Sequence, residues 1–146
     1  MHALGVDLGS ARVGLAFSNE LGMLAFPLET VPAKKALDRI LALVAERGVK
    51  WIIVGHPRNM DGSFGPAADA ARRFRETLAA RTTARVELWD ERLTTRLAER
   101  MLAADAGLPR KLQRDIIDQL AAQQILQSWL DAREARASPP EPPEHG

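Results

Sequence analysis

The chain has no cysteine among its 146 residues. A disulfide scaffold, a Cys-ligated zinc site and thiol chemistry are therefore excluded. It also lacks a charge excess: 20 Lys and Arg stand against 19 Asp and Glu, a formal net charge of +1. Affinity for a polyanion then has no global electrostatic source. It would have to come from a local basic patch and bound cations. No apolar run approaches the ~20 residues that span a bilayer. An acidic residue at position 7 sets the amino terminus apart from a secretory signal. These absences predict a cytoplasmic protein that does not enter membranes.

What is present has an ordinary globular balance, 46% hydrophobic and 27% charged, and the length suffices to bury a core. We expect one domain over 1–135 and a tail over 136–146. The tail contains Ser138-Pro139-Pro140-Glu141-Pro142-Pro143 and should be extended or disordered.

Patterning predicts the elements. Apolar runs at 3–8, 13–18 and 23–31, separated by turn residues, read as an antiparallel meander. Leu37, Ile40, Leu41 and Val44 recur at helical spacing within 34–47, and Gly48 stops that helix. Trp51-Ile52-Ile53-Val54 suits a strand covered on both faces. Pro66 can open a helix whose apolar stripe is Ala67, Ala70, Ala71, Phe74 and Leu78. A strand over 85–89 follows, then a helix over roughly 95–105 capped by Thr94, and a last helix over roughly 110–135. This order predicts an α/β fold, a five-stranded mixed sheet with helices packed on both faces.

Four segments carry chemistry. In Gly5-Val6-Asp7-Leu8-Gly9, strand alternation puts Gly5, Asp7 and Gly9 on one face. A carboxylate between two glycines would have open space for a metal or a phosphate; the plainer reading is an Asp that caps the next turn. The loop after Val54 holds His56, Arg58, Asn59 and Asp61. Arg58 could grip a phosphate and Asn59 a sugar or base, or Asn59 and Asp61 could simply bond their own backbone. Asp90 and Glu91 close the strand at 85–89, Asp90 on the face of Val86 and Leu88, Glu91 on that of Glu87 and Trp89. Arg92, Arg96 and Arg100 then make a basic helical stripe, suited to a phosphate backbone or to pairing with Glu91 and Glu99 on a solvated face. Finally, Asp118 lies in helical line with Ala121, Ala122, Ile125 and Trp129. A carboxylate on an apolar stripe costs several kcal/mol unless it is paired or metal-bound, so it implies either a ligand or an ion pair with an Arg or Lys.

Taken in order, GVDLGSARVGLAFS (5–18), VGHPRNMDGSFGP (54–66), DERLTT (90–95) and DQLAAQQILQSWLD (118–131) resemble the YqgF/RuvX family of pre-16S rRNA nucleases and Holliday-junction-resolvase-like proteins. The resemblance spans roughly 3–132. It implies an RNase H-like fold and hydrolysis of nucleic-acid phosphodiesters at Asp7, Glu91 or Asp90, and Asp118, with Asp7, Glu91 and Asp118 holding Mg²⁺ or Mn²⁺. Glu91 is preferred over Asp90 for its reach. Ser10, Arg12, Arg58, Asn59, Arg92, Thr94 and Arg96 are the candidate nucleic-acid contacts. The implied partner is RNA, the 16S rRNA precursor at its 5′ end, with branched or single-stranded DNA as the alternative, acted on by a monomer or a homodimer. Two other readings stand beside it: a nucleic-acid-binding module without catalysis, and an actin-like ATP-binding domain suggested by Asp7-Leu8-Gly9-Ser10.

Overall fold

The computed structural model describes residues 2–57, 65–90 and 110–137. Five strands form one sheet: β1 (His2–Leu8), β2 (Arg12–Ser18), β3 (Ala25–Pro32), β4 (Val49–His56) and β5 (Arg85–Asp90). Their order is β3-β2-β1-β4-β5. β1, β2 and β3 pair antiparallel, whereas β1 with β4 and β4 with β5 run parallel. Three helices complete the described fold: α1 (Ala36–Arg47), α2 (Pro66–Ala79) and α3 (Arg110–Ala137).

Local chemistry sets the boundaries. The β1–β2 hairpin closes where the Gly9 N–H donates to the Arg12 carbonyl at 2.9 Å. α1 follows a 3-10 turn over Ala33–Lys35 and ends at Gly48, whose φ of 65° is left-handed; a glycine adopts that angle without steric cost. Pro66 stands at the start of α2, where its missing N–H removes nothing the helix needs.

Alternation divides the sheet into two cores. Leu4, Val6, Val13, Leu15, Ile52, Val54 and Val86 face α1 and α2, joining Ile40, Leu43, Ala71 and Leu78. Ala3, Ala16, Ala25 and Ile53 face the other way, against Ala122, Ile125, Leu126, Trp129 and Leu130 of α3. Helices on both faces of a mixed sheet match the sequence expectation. The stripe on α2 is offset from it: Ala68, Ala71 and Leu78 are buried, while Ala67 and Ala70 are exposed.

α3 has 28 residues, about 42 Å at 1.5 Å per residue, and two devices hold it down. Glycines supply the first. A Cβ on Gly5 would lie 2.7 Å from the Ala122 carbonyl oxygen, and one on Gly14 would lie 2.0 Å from that of Asp118. The helix backbone therefore rests directly on β1 and β2. The second is a row of glutamines along β3. Gln127 Oε1 accepts from the Ala25 N–H at 2.8 Å, Gln127 Nε2 donates to the Met23 carbonyl at 2.9 Å, and Gln123 Nε2 donates to the Ala25 carbonyl at 3.0 Å. On the opposite face, Arg39 of α1 pairs with Glu29 of β3 at 2.7 Å, and its pKa is raised chiefly by that hydrogen bond.

Candidate functional site

Asp7 stands at the carboxyl end of β1, directly opposite Gly14 of β2. Residues so paired project to the same face. Gly5, two residues before Asp7, faces α3, so Asp7 does too. Gly14 lacks a side chain where Asp118 descends: a Cβ there would be 2.9 Å from the Asp118 Cβ. Opposed Cβ positions in such a pair lie about 4.5–5.5 Å apart. The Asp7 and Asp118 Cβ atoms are thus within about 8 Å of each other, from the sum of that spacing and the glycine gap.

The glycines do not leave the open space around Asp7 that strand alternation alone suggests. The space over Gly5 and Gly14 is filled by α3 backbone, and that over Gly9 by the Arg12 carbonyl, 2.5 Å from a would-be Cβ. Their chemical effect is to let a second carboxylate arrive on a helix.

Asp118 is partly buried, its side chain 18% exposed. Arg12 Nε donates to its Oδ2 at 2.8 Å and lies 3.7 Å from Asp115 Oδ1. Arg12, read from sequence as a contact for nucleic acid, is directed at two carboxylates of α3. The arginine partner considered for a buried Asp118 is therefore present, on the β1–β2 hairpin. Asp115 is the residue that the sequence reading passed over. Its spacing of three from Asp118 places the two on neighbouring positions of one helical surface, which was the available signal.

Asp90 ends β5 opposite His56 of β4. Val86 and Leu88 belong to the core under α1 and α2, and alternation puts Asp90 on that same face, away from Asp7 and Asp118. Glu87 and Trp89 lie on the α3 face: Trp129 Nε1 donates to Glu87 Oε2 at 2.9 Å and Trp89 Nε1 to Ser128 Oγ at 3.0 Å. Ser10 is exposed in the hairpin and lines a cavity of about 460 Å³ with Leu8, Gly9, Val13, Ala67 and Phe74. Arg58, Asn59, Glu91, Arg92, Thr94 and Arg96 lie outside the described residues, as do the expected helix over 95–105 and the tail from 138 onward. The structure thus joins Arg12, Asp115 and Asp118, sets Asp7 on the same face across from Gly14, and separates Asp90 from them. Among the described residues no group of three or more acidic or His side chains is already gathered to hold a metal.

The carboxylates of Asp7, Asp115 and Asp118 are hard oxygen donors of the kind Mg²⁺ and Mn²⁺ prefer. The approach of Asp118 over Gly14 supplies two of them from different elements. In that chemical sense the residues fit such an ion.

Comparison with known proteins places this arrangement. The RuvX family model, described as Holliday junction resolvase, matches residues 1–132. A pre-16S rRNA nuclease of Geobacillus kaustophilus (strain HTA426) is 46% identical over 138 residues, covering 91% of this chain and 99% of its own. One from Myxococcus xanthus (strain DK1622) is 45% identical over 135 residues, covering 90% and 89%. Among solved structures, Thermus thermophilus RuvC superposes with a TM-score of 0.55 at 15% identity, over 92% of this chain and 97% of that one. The fowlpox virus Holliday junction resolvase does so with a TM-score of 0.52 at 13% identity, over 90% and 99%. The solved structures show a common fold, the RNase H-like arrangement of the resolvases.

Proposed function

The chain belongs to the RuvX family, and from that premise we propose that it is a metal-dependent nuclease that matures the 5′ end of the 16S rRNA precursor. The observation that carries the reading is the seating of Asp118 over Gly14, beside Asp7. Two carboxylates from a strand and a helix then share one end of one face, as a phosphodiester-cleaving centre requires.

In this reading Asp7 and Asp118 are metal ligands, Asp115 is an additional oxygen donor, and Glu91 is the third ligand from beyond β5. Glu91 is preferred to Asp90 for its longer reach, and because Asp90 belongs to the α1 and α2 face, away from Asp7 and Asp118. The bound ions would supply an activated water and stabilise the leaving oxygen. Among the chain's own residues, Arg12 of the β1–β2 hairpin neutralises the Asp118 carboxylate at its Oδ2 until a cation takes its place. The nuclease domain spans the expected 1–135 and two residues more, since α3 continues to Ala137 past the boundary expected from sequence. A ribosomal precursor as substrate supports a cytoplasmic location. Among the described residues, no helix is long and apolar enough to cross a membrane.

The test is incubation of the purified protein with end-labelled pre-16S rRNA fragments and four-way DNA junctions, with Mn²⁺, Mg²⁺ or EDTA, beside Asp7→Asn. Metal-dependent cleavage of the rRNA, lost in the variant, is the expected result. Preferential cutting of the junction would replace RNA maturation with resolution of branched DNA. Binding without cleavage in any metal would leave a non-catalytic module.

A further inference from the structure

The chain's three tryptophans, Trp51, Trp89 and Trp129, all lie on the α3 face of the sheet. Trp51 and Trp129 meet with ring centroids 5.1 Å apart and planes tilted by 47°. Two guanidinium groups converge on them. Arg85 lies 5.2 Å from the centroid of Trp51; Arg133 lies 5.0 Å from that ring and 5.5 Å from Trp129. Each contact is attractive by itself, but gathering two like charges on one indole works against it. Pinning the end of α3 does not require this, since the Trp129–Glu87 and Trp89–Ser128 hydrogen bonds already tie the helix to β5. Arg85 is exposed at the first position of the edge strand.

A guanidinium stacked on an aromatic ring is held in orientation by its face, and its planar fork of N–H donors matches the geometry of phosphate oxygens. The cluster shares its face with Asp7 and Asp118. Trp51 pairs with Ala3, four residues from Asp7, or about 13 Å along a strand. Arg133 is fifteen residues from Asp118, or about 22 Å along a helix. With a net charge of only +1, local pairs of this kind must supply the affinity for a polyanion.

We propose that Arg85 and Arg133, oriented by Trp51, form a second nucleic-acid contact that grips backbone phosphates of a single-stranded stretch a few nucleotides from the scissile bond. The assignment rests on the nuclease reading for its substrate, but its test does not require cleavage. Binding of fluorescein-labelled single-stranded RNA is measured in EDTA across a salt series. Each single-strand phosphate contact contributes about 0.7 to the slope of log K against log salt. Arg85→Ala should lower the slope by about 0.7 and Arg85→Ala with Arg133→Ala by about 1.4. The affinity of the double variant should fall about tenfold or more at low salt, while the paired Lys substitutions should keep the wild-type salt slope but lose part of the affinity, because an ammonium does not stack on Trp51 as a guanidinium does.

Under cleaving conditions, KM should rise with kcat unchanged. Unchanged slope and affinity in Arg85→Ala, whose position is exposed, would overturn the proposal and leave the cluster a helix staple. That single variant decides the matter even if the double variant loses its fold by circular dichroism. A wild-type protein that fails to cleave, yet loses binding on these substitutions, would overturn the nuclease reading and leave this contact standing.

Discussion

The backbone of Asp118 occupies the place where a side chain of Gly14 would be: a Cβ added at Gly14 would fall 2.0 Å from the Asp118 carbonyl oxygen. The obstructing atom is helix backbone, which cannot swing aside. Gly14→Ala must therefore lift α3 from the sheet. Overpacking of this kind costs about 1–3 kcal/mol or more, and each kcal/mol lowers Tm by about 2–4 °C in a chain of this size. Thermal denaturation checks the expectation; an unchanged Tm would mean that the helix does not seat on Gly14.

Asp7→Asn and Asp118→Asn should each abolish metal-dependent cleavage while leaving the far-ultraviolet circular dichroism spectrum intact. Both side chains are partly exposed, so the isosteric amides can be accommodated. Retained activity in both variants would remove these carboxylates from the mechanism.

Arg12→Ala should tighten binding of Mn²⁺ to the free protein. The guanidinium 2.8 Å from Asp118 Oδ2 and 3.7 Å from Asp115 Oδ1 is a cation competing for the same oxygens, and its removal favours any other cation there. Calorimetric titration measures this directly. Weaker binding would show instead that Arg12 orients Asp118 for the metal.

Ser18 is fully buried, and its Oγ accepts the Ala3 N–H at 2.8 Å. Ser18→Ala removes that acceptor and strands a buried donor, at a cost of about 1–3 kcal/mol. Urea denaturation should show a lower midpoint with the same slope.

Much of the fold was legible because both faces of the sheet are buried and the patterns have a single period each. Strand alternation placed Gly5 and Asp7 together, and helical spacing put Asp118 in line with Ala121, Ala122, Ile125 and Trp129, all four of which are buried. Periodicity gives the face of an element, not its partner. Hence the space beside Asp7 read as open when α3 fills it, and the Arg12–Asp118 pair, 106 residues apart in the chain, had no local signal. The stripe on α2 slipped because runs of alanine carry little contrast: Ala67, Ala68, Ala70 and Ala71 are alike in side chain, and only packing selects Ala68 and Ala71.

The glutamine row along β3 bears on how copies of this protein meet. β3 is an edge strand, and an unpaired edge is a template for another chain. At Ala25, both backbone polar groups are already engaged by Gln123 and Gln127, and Pro27 and Pro32 have no N–H to offer. An incoming strand finds few bonds to make on the side where Leu21, Met23, Leu24 and Phe26 lie exposed. The contacts that fasten the last helix also guard this apolar border against fibril-like growth.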